Sequence, residues 1–116
     1  EKVLTDRCGT VKFSDEFGSG SSISSDGDLY QTVSIDSIIT DKVTFFKIDV
    51  EGAEVKVLEG STNLIKLHKP KIAVCVYHKQ AHFLDIPDLI LAMRPDYKVY
   101  FRHHSPGIFE SVMYFV

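Results

Sequence analysis

Positive charge is not in excess in this sequence: 13 basic against 16 acidic side chains leave a net charge of −3. A general nucleic-acid binder would carry a basic surplus gathered on one face, so no nucleic-acid partner is expected. Long apolar runs are missing as well. The longest aliphatic-aromatic stretch is Ile72 to Tyr77, against the roughly 20 residues of a membrane helix, so no membrane partner is expected either. Cys8 and Cys75 are the only cysteines. They make no disulfide framework, and their spacing matches no zinc motif. Cys75 lies in an apolar run and reads as a small core residue, while Cys8 reads as a surface thiol. The plain expectation is a reduced, cytoplasmic protein. Seven glycines and four prolines are too few for collagen or a low-complexity linker. Two catalytic signatures are also missing. The Gly18–Ser22 run lacks the Gly-Lys-Ser/Thr ending and the following helix of a phosphate loop. No Gly-x-Ser-x-Gly elbow occurs, which weighs against a small α/β hydrolase.

What is present is ordinary globular composition over 116 residues, with 44% hydrophobic and 25% charged side chains. A chain of this size fits one domain and buries roughly 65% of its unfolded surface. Its character changes near Asp41. Residues 1–41 form a polar, turn-rich lead-in, with six serines between Ser14 and Ser25. That stretch, through Asp28, reads as a loop or irregular hairpin between short strands at Val11–Phe13 and Tyr30–Ile35.

Residues 42–116 carry the stronger signals. Val43–Ile48 is a β-rich run without clean alternation, as in strands covered on both faces. Ala53 to Leu67 has helical spacing, with Gly60 placed to close a first helix and Ser61 to cap the next turn. Lys71–Tyr77 reads as a second buried strand. Asp85–Met93 reads as a helix with Pro87 in its first turn. Tyr97–Arg102 and Phe109–Val116 read as strands whose short connection forces them antiparallel if they pair. The expected architecture is α/β: a mostly parallel sheet whose last strand runs antiparallel.

In open α/β sheets ligands bind beyond the carboxyl ends of strands. That rule selects Asp49 with Glu51, Tyr77 with His78, and Arg102 with His103 and His104. Asp49 ends its strand and points to the crevice. Glu51 and Glu54 read equally as acids complementing a helix N-terminus. His78 either bonds a loop carbonyl or serves proton transfer near neutral pH. In the HKQAH string, His78 and His82 have the spacing of two ligands on one helix face, but Lys79 stands where a zinc protease needs glutamate. Further ligands would have to come from His103, His104 or Cys75, so no metal is expected. Of His103 and His104, at most one reaches the crevice if the strand continues. His68, at a helix end, reads as a surface residue favoured by the helix dipole.

The string FFKIDVEGAE at residues 45–54, followed by Val57, Leu58 and Gly60, resembles the FkbM family of S-adenosylmethionine-dependent methyltransferases. Pro70 leading a strand that ends in Tyr77 and His78, and YKVYFRH at 97–103, agree in order. GTVKF at 9–13 and TVSID at 32–36 agree more weakly. The resemblance implies a Rossmann-like class I methyltransferase sheet, of which Val43–Ile48 is the fourth strand and the last three follow. The first three strands, and the glycine-rich cofactor loop, are then absent from these 116 residues, leaving one incomplete domain. It further implies methylation of a hydroxyl on a sugar, polyketide or other small molecule. Asp49, Glu51 and Tyr77 would serve the cofactor, with Asp49 holding its amino group or orienting the acceptor. His78 would take the acceptor's proton, and His78 and His103 would contact the acceptor. The competing reading is a non-catalytic α/β fragment that associates, with a partner or a second copy, through the edge strand Val43–Ile48.

Overall fold

The structure, a computed structural model, describes residues 2–14, 22–23 and 28–116. The Gly18–Ser22 run, apart from Ser22, and most of the expected Ser14–Asp28 loop lie outside the described residues. The lead-in forms a sheet of its own. Strands β1 (Lys2–Leu4), β2 (Gly9–Ser14), β3 (Ser22–Ile23) and β4 (Asp28–Val33) lie in the order β1-β4-β2-β3. β2 and β4 pair antiparallel, and β1 adds to β4 in parallel. Strands of two or three residues carry too little periodicity to be read in advance, so β1 and β3 were not expected. The expected strand Tyr30–Ile35 stops at Val33, because Ile35 is buried at the start of the short helix α1 (Ile35–Ile38).

The second sheet holds β5 (Phe45–Ile48), β6 (Lys71–Cys75), β7 (Val99–His103) and β8 (Ser111–Phe115) in the order β5-β6-β8-β7. β5 and β6 pair in parallel. β8 runs antiparallel to both β6 and β7. The expected antiparallel pairing of the last two strands is therefore found. The expected mostly parallel sheet needs correction, since two of its three pairings are antiparallel. The physical reason is that β8 inserts between β6 and β7, so those two strands of like direction are not neighbours.

β6 is buried from Ile72 to Cys75, as expected of a strand covered on both faces. β5 is not. It is the sheet edge, and Phe45 is 59% exposed while Ile48 is buried. Helices α2 (Glu54–Glu59), α3 (Thr62–His68) and α4 (His82–Met93) supply the rest of the core. Val57, Leu58, Ile65, Ile86 and Ile90 pack with Ile48, Val74, Val76 and Phe115. Among the described residues, no helix is long and apolar enough to cross a membrane.

Three local expectations are revised. Gly60 does close α2, but with an ordinary φ of −72°. Its lack of a side chain is required by space, since a Cβ there would stand 2.3 Å from the Thr5 carbonyl oxygen. Ser61 does not cap α3; its hydroxyl donates back to the Val57 carbonyl at 2.6 Å. The cap comes from Asp36, whose two carboxylate oxygens accept the N–H groups of Asn63 and Leu64, each at 2.8 Å. α4 begins at His82 rather than Asp85, so Pro87 lies inside it. Burial of His82, Ile86 and Ile90 at fourfold spacing draws the helix back by that extra turn.

Candidate functional site

β5 and β6 run side by side in one direction, so their carboxyl ends open at the same edge of the sheet. Asp49 follows β5 directly, and Tyr77 and His78 follow β6 after Val76. The turn after Asp49 is tight. Glu51 has φ 50° and Gly52 φ 92°. Only glycine adopts the second value at little cost, and a Cβ at Gly52 would also meet Lys79 Cε at 3.1 Å. Lys79 Nζ donates to the Gly52 carbonyl at 2.6 Å and ties the turn to the loop after β6. The left-handed backbone of Glu51 is a local strain, tolerated where neighbouring contacts determine it.

Glu54 is the hub beneath this turn. It opens α2 yet is fully buried. Its Oε1 accepts the N–H of Val50 at 3.2 Å and of Gly52 at 3.3 Å. His78 Nδ1 lies 2.7 Å from the same oxygen. An oxygen that already receives two N–H donors acts as an acceptor, which assigns Nδ1 as its third donor; in the neutral ring Nε2 then holds the lone pair. His82 Nδ1 stands 3.3 Å from Glu54 Oε2. The two atoms are close enough for an ion pair, but neither is in hydrogen-bond geometry. Burial holds the His82 pKa below its ordinary value, against the opposing pull of Glu54, so this ring is neutral at pH 7.

His78 Nε2 faces the opposite way, toward Asp49 and Glu51. It lies 3.4 Å from Glu51 Oε2 and 3.8 Å from Asp49 Oδ1, and among the described residues it has no hydrogen-bond partner. Glu51, Tyr77, His78, Phe109 and Glu110 line an open cleft of about 620 Å³ at this point. The Tyr77 ring stacks obliquely on His78 at 4.1 Å and meets Phe109 edge-on at 5.9 Å. Burial, and after it the charge of Asp49, pushes the Tyr77 hydroxyl up to about 12. Tyr77 is therefore a neutral phenol whose ring, not an oxyanion, faces the cleft. Burial and the adjacent Asp49 likewise push the Cys75 thiol up to about 12, so it is neither a nucleophile nor a ready metal ligand at neutral pH.

The structure thus brings Asp49, Glu51, Tyr77 and His78 together. His103 is not among the residues lining the cleft; its Nδ1 lies 2.9 Å from Oγ of Ser111, the neighbour of the lining residue Glu110. His104 Nε2 pairs with the Tyr114 hydroxyl at 2.9 Å. His78 precedes α4 in a loop, so it does not share a helix face with His82; the two rings meet instead on Glu54. His68 is half-buried rather than a surface residue, and its Nδ1 accepts the Val43 N–H at 3.3 Å. Phe109 and Glu110 are not candidates in the sequence, while Glu54 is read there equally as an acid complementing a helix N-terminus and His82 only as a possible second ligand beside His78. For Glu54 a signal existed: it is an acid in a helix's first turn, two residues after a left-handed Gly, with two histidines following the next strand.

The Methyltransferase FkbM domain model matches residues 5–100. No curated protein matches the chain. The crystal structure of Methyltransferase FkbM from Methylobacillus flagellatus KT is similar, with a TM-score of 0.73 and 42% sequence identity. The match covers 76% of this chain and 24% of that one. The family model spans most of the chain, including both strand mouths that form the cleft, and so the chain belongs to the FkbM methyltransferase domain family.

Proposed function

We propose that this chain supplies the acceptor side of an S-adenosylmethionine-dependent O-methyltransferase, as the second half of a Rossmann-like class I sheet. The observation carrying this reading is the convergence of Asp49, Glu51 and His78 beyond the parallel strands β5 and β6, with Nε2 buried beside the two carboxylates and unpaired among the described residues. The residues present fit one end of the cofactor. Carboxylates at a strand mouth suit an ammonium group, and an aromatic face such as Tyr77 suits a cation. The cofactor supplies a methyl group carried on a positively charged sulfur. Asp49, Glu51 and Tyr77 would hold it, and Asp49 would also orient the acceptor.

His78 acts on the acceptor hydroxyl. Glu54 fixes its tautomer and steadies the positive charge that arises when Nε2 draws the proton away, the role a buried carboxylate plays behind any general-base histidine. Holding the acceptor oxygen in line contributes through proximity. The acceptor is a small hydroxyl compound such as a sugar or polyketide, with His103 contacting its outer part. Methyl transfer from labelled S-adenosylmethionine to a panel of alcohols, amines and thiols tests the reading. Labelled alcohols support it; transfer confined to amines or thiols refutes it.

A second reading is favoured by one observation. β5 is an edge strand with Phe45 largely exposed, and an unpaired apolar edge promotes association. In that reading the chain is an interaction module joined through Val43–Ile48, to a second copy or to another segment. Sedimentation of the chain checks it: a concentration-dependent dimer abolished by Phe45→Lys supports it, and a monomer at all concentrations contradicts it.

A further inference from the structure

We infer that Asp49, Glu51 and His78 form a binding site for a divalent transition-metal cation. Their donor atoms all lie within 4.8 Å of one another. Ligands bonded to one ion at about 2.0–2.2 Å sit roughly 3.0–3.6 Å apart, depending on geometry. The distances from Nε2, 3.4 Å to Glu51 and 3.8 Å to Asp49, need at most a few tenths of an ångström of closure, and the two carboxylates, within 4.8 Å of each other, close further by turning about their side-chain bonds.

An exposed acidic pair alone would say little. The independent observation is His78. Its side chain is only 9% exposed, and Nε2 is buried without a hydrogen-bond partner. An unpaired buried nitrogen is costly to leave unsatisfied. It lies within 3.8 Å of an oxygen of each of two carboxylates, which themselves repel each other at this separation. A cation satisfies all three groups at once. Behind it, Glu54 holds Nδ1 at 2.7 Å. Metal-binding histidines almost always give their other ring N–H to a carboxylate or carbonyl in this way, which fixes the tautomer and strengthens the donor nitrogen. Two carboxylates and one imidazole suit Mn²⁺, Fe²⁺ or Zn²⁺ and leave positions open for water or an acceptor oxygen.

The inference rests on the reading that a hydroxyl is delivered to this cleft; with the cation bound, Nε2 and the two carboxylates are its ligands, and the cation takes over from Nε2 the activation of that hydroxyl. With Nε2 bonded to the cation, the acceptor oxygen binds the cation too. Its O–H proton then passes to water at a lower pH than that of a free alcohol, leaving the electron pair on oxygen.

The test uses Mn²⁺ alone, added to the chain and followed by loss of the free-ion electron paramagnetic resonance signal. The expected result is saturation at one ion per chain, weakened about ten-fold or more by Glu51→Gln, since even outer-shell changes cost that much. His78→Gln should abolish binding. Because His78 is packed and its variant can fail to fold, the half-exposed Glu51 carries the decision. Glu59→Gln, a surface acid on α2, controls for charge and should bind as wild type. No saturable binding, or wild-type binding by Glu51→Gln, overturns the inference. A parallel assay of methyl transfer in chelator, with and without added Mn²⁺, separates the two ideas. Full transfer in chelator by a protein that binds no Mn²⁺ leaves the methyltransferase reading standing and removes the cation. Saturable, Glu51-dependent binding without any methyl transfer does the reverse.

Discussion

Replacing Glu54 separates its two jobs, filling space and receiving hydrogen bonds. Leu at position 54 keeps much of the volume in a site that is fully buried. It leaves the Gly52 N–H, the Val50 N–H and His78 Nδ1 without their acceptor. A buried donor left unpaired costs about 1–3 kcal/mol. The Gly52 bond is buried, whereas those of Val50 and His78 are partly open to water. The first therefore bears the full cost and the others a fraction, for a total of about 3 kcal/mol. Gln at the same position keeps an acceptor oxygen for all three donors. Its amide NH₂ can point at His82 Nδ1, 3.3 Å from Oε2 in the native protein, which the neutral ring is able to accept. Only the extra strength of charge-assisted bonds is lost, about 1 kcal/mol. Urea unfolding followed by circular dichroism reads both variants as midpoint shifts at constant slope. The reasoning fails if Glu54→Leu is as stable as wild type, or if Glu54→Gln costs as much as Glu54→Leu.

Other consequences are direct. Gly60→Ala should lower stability by about 2–3 kcal/mol, because the new methyl meets a backbone oxygen that cannot step aside; an unchanged melting temperature would contradict the close approach of α2 to Thr5. Tyr97→Phe removes a buried hydroxyl that donates to the Pro70 carbonyl at 2.6 Å, and should cost about 1–2 kcal/mol in the same unfolding assay. Stability should also fall on mild acidification. Burial lowers the folded-state pKa of His82, so below histidine's ordinary value near 6.5 the unfolded chain binds the extra proton. This contribution is fully present above about pH 6.5 and is lost as pH drops toward the lowered value. Urea midpoints at pH 7.5 and 5.5 check the sign, and His82→Gln should flatten the slope between them; a midpoint that rises on acidification would refute it.

Much of the site was legible because it depends on local rules. Continuous β-rich runs mark β5 and β6, and the convergence of ligands at strand mouths then selects Asp49, Tyr77 and His78 without further information. What was not legible depends on distant parts of the chain. Asp36 caps α3 from another helix, so Ser61, the local candidate, is free to bond elsewhere. β8 inserts beside β6 instead of ending the sheet, a choice made by packing rather than by strand propensity. Glu54 looks like any acid in a first helical turn, and only the fold shows it buried between two histidines. His82 lies one turn ahead of the expected helix start, and so its place against Glu54 was hidden as well.

The central claim is that His78 and Asp49 work on an acceptor hydroxyl at the mouths of β5 and β6. The most direct measurement is the kinetics of methyl transfer by the protein carrying this segment, with His78→Ala and Asp49→Asn compared against wild type. The account predicts that His78→Ala lowers kcat by about 10²-fold or more while S-adenosylmethionine binds as before, and that Asp49→Asn weakens cofactor binding and turnover together. Wild-type kcat in both variants, measured on folded protein, would contradict it.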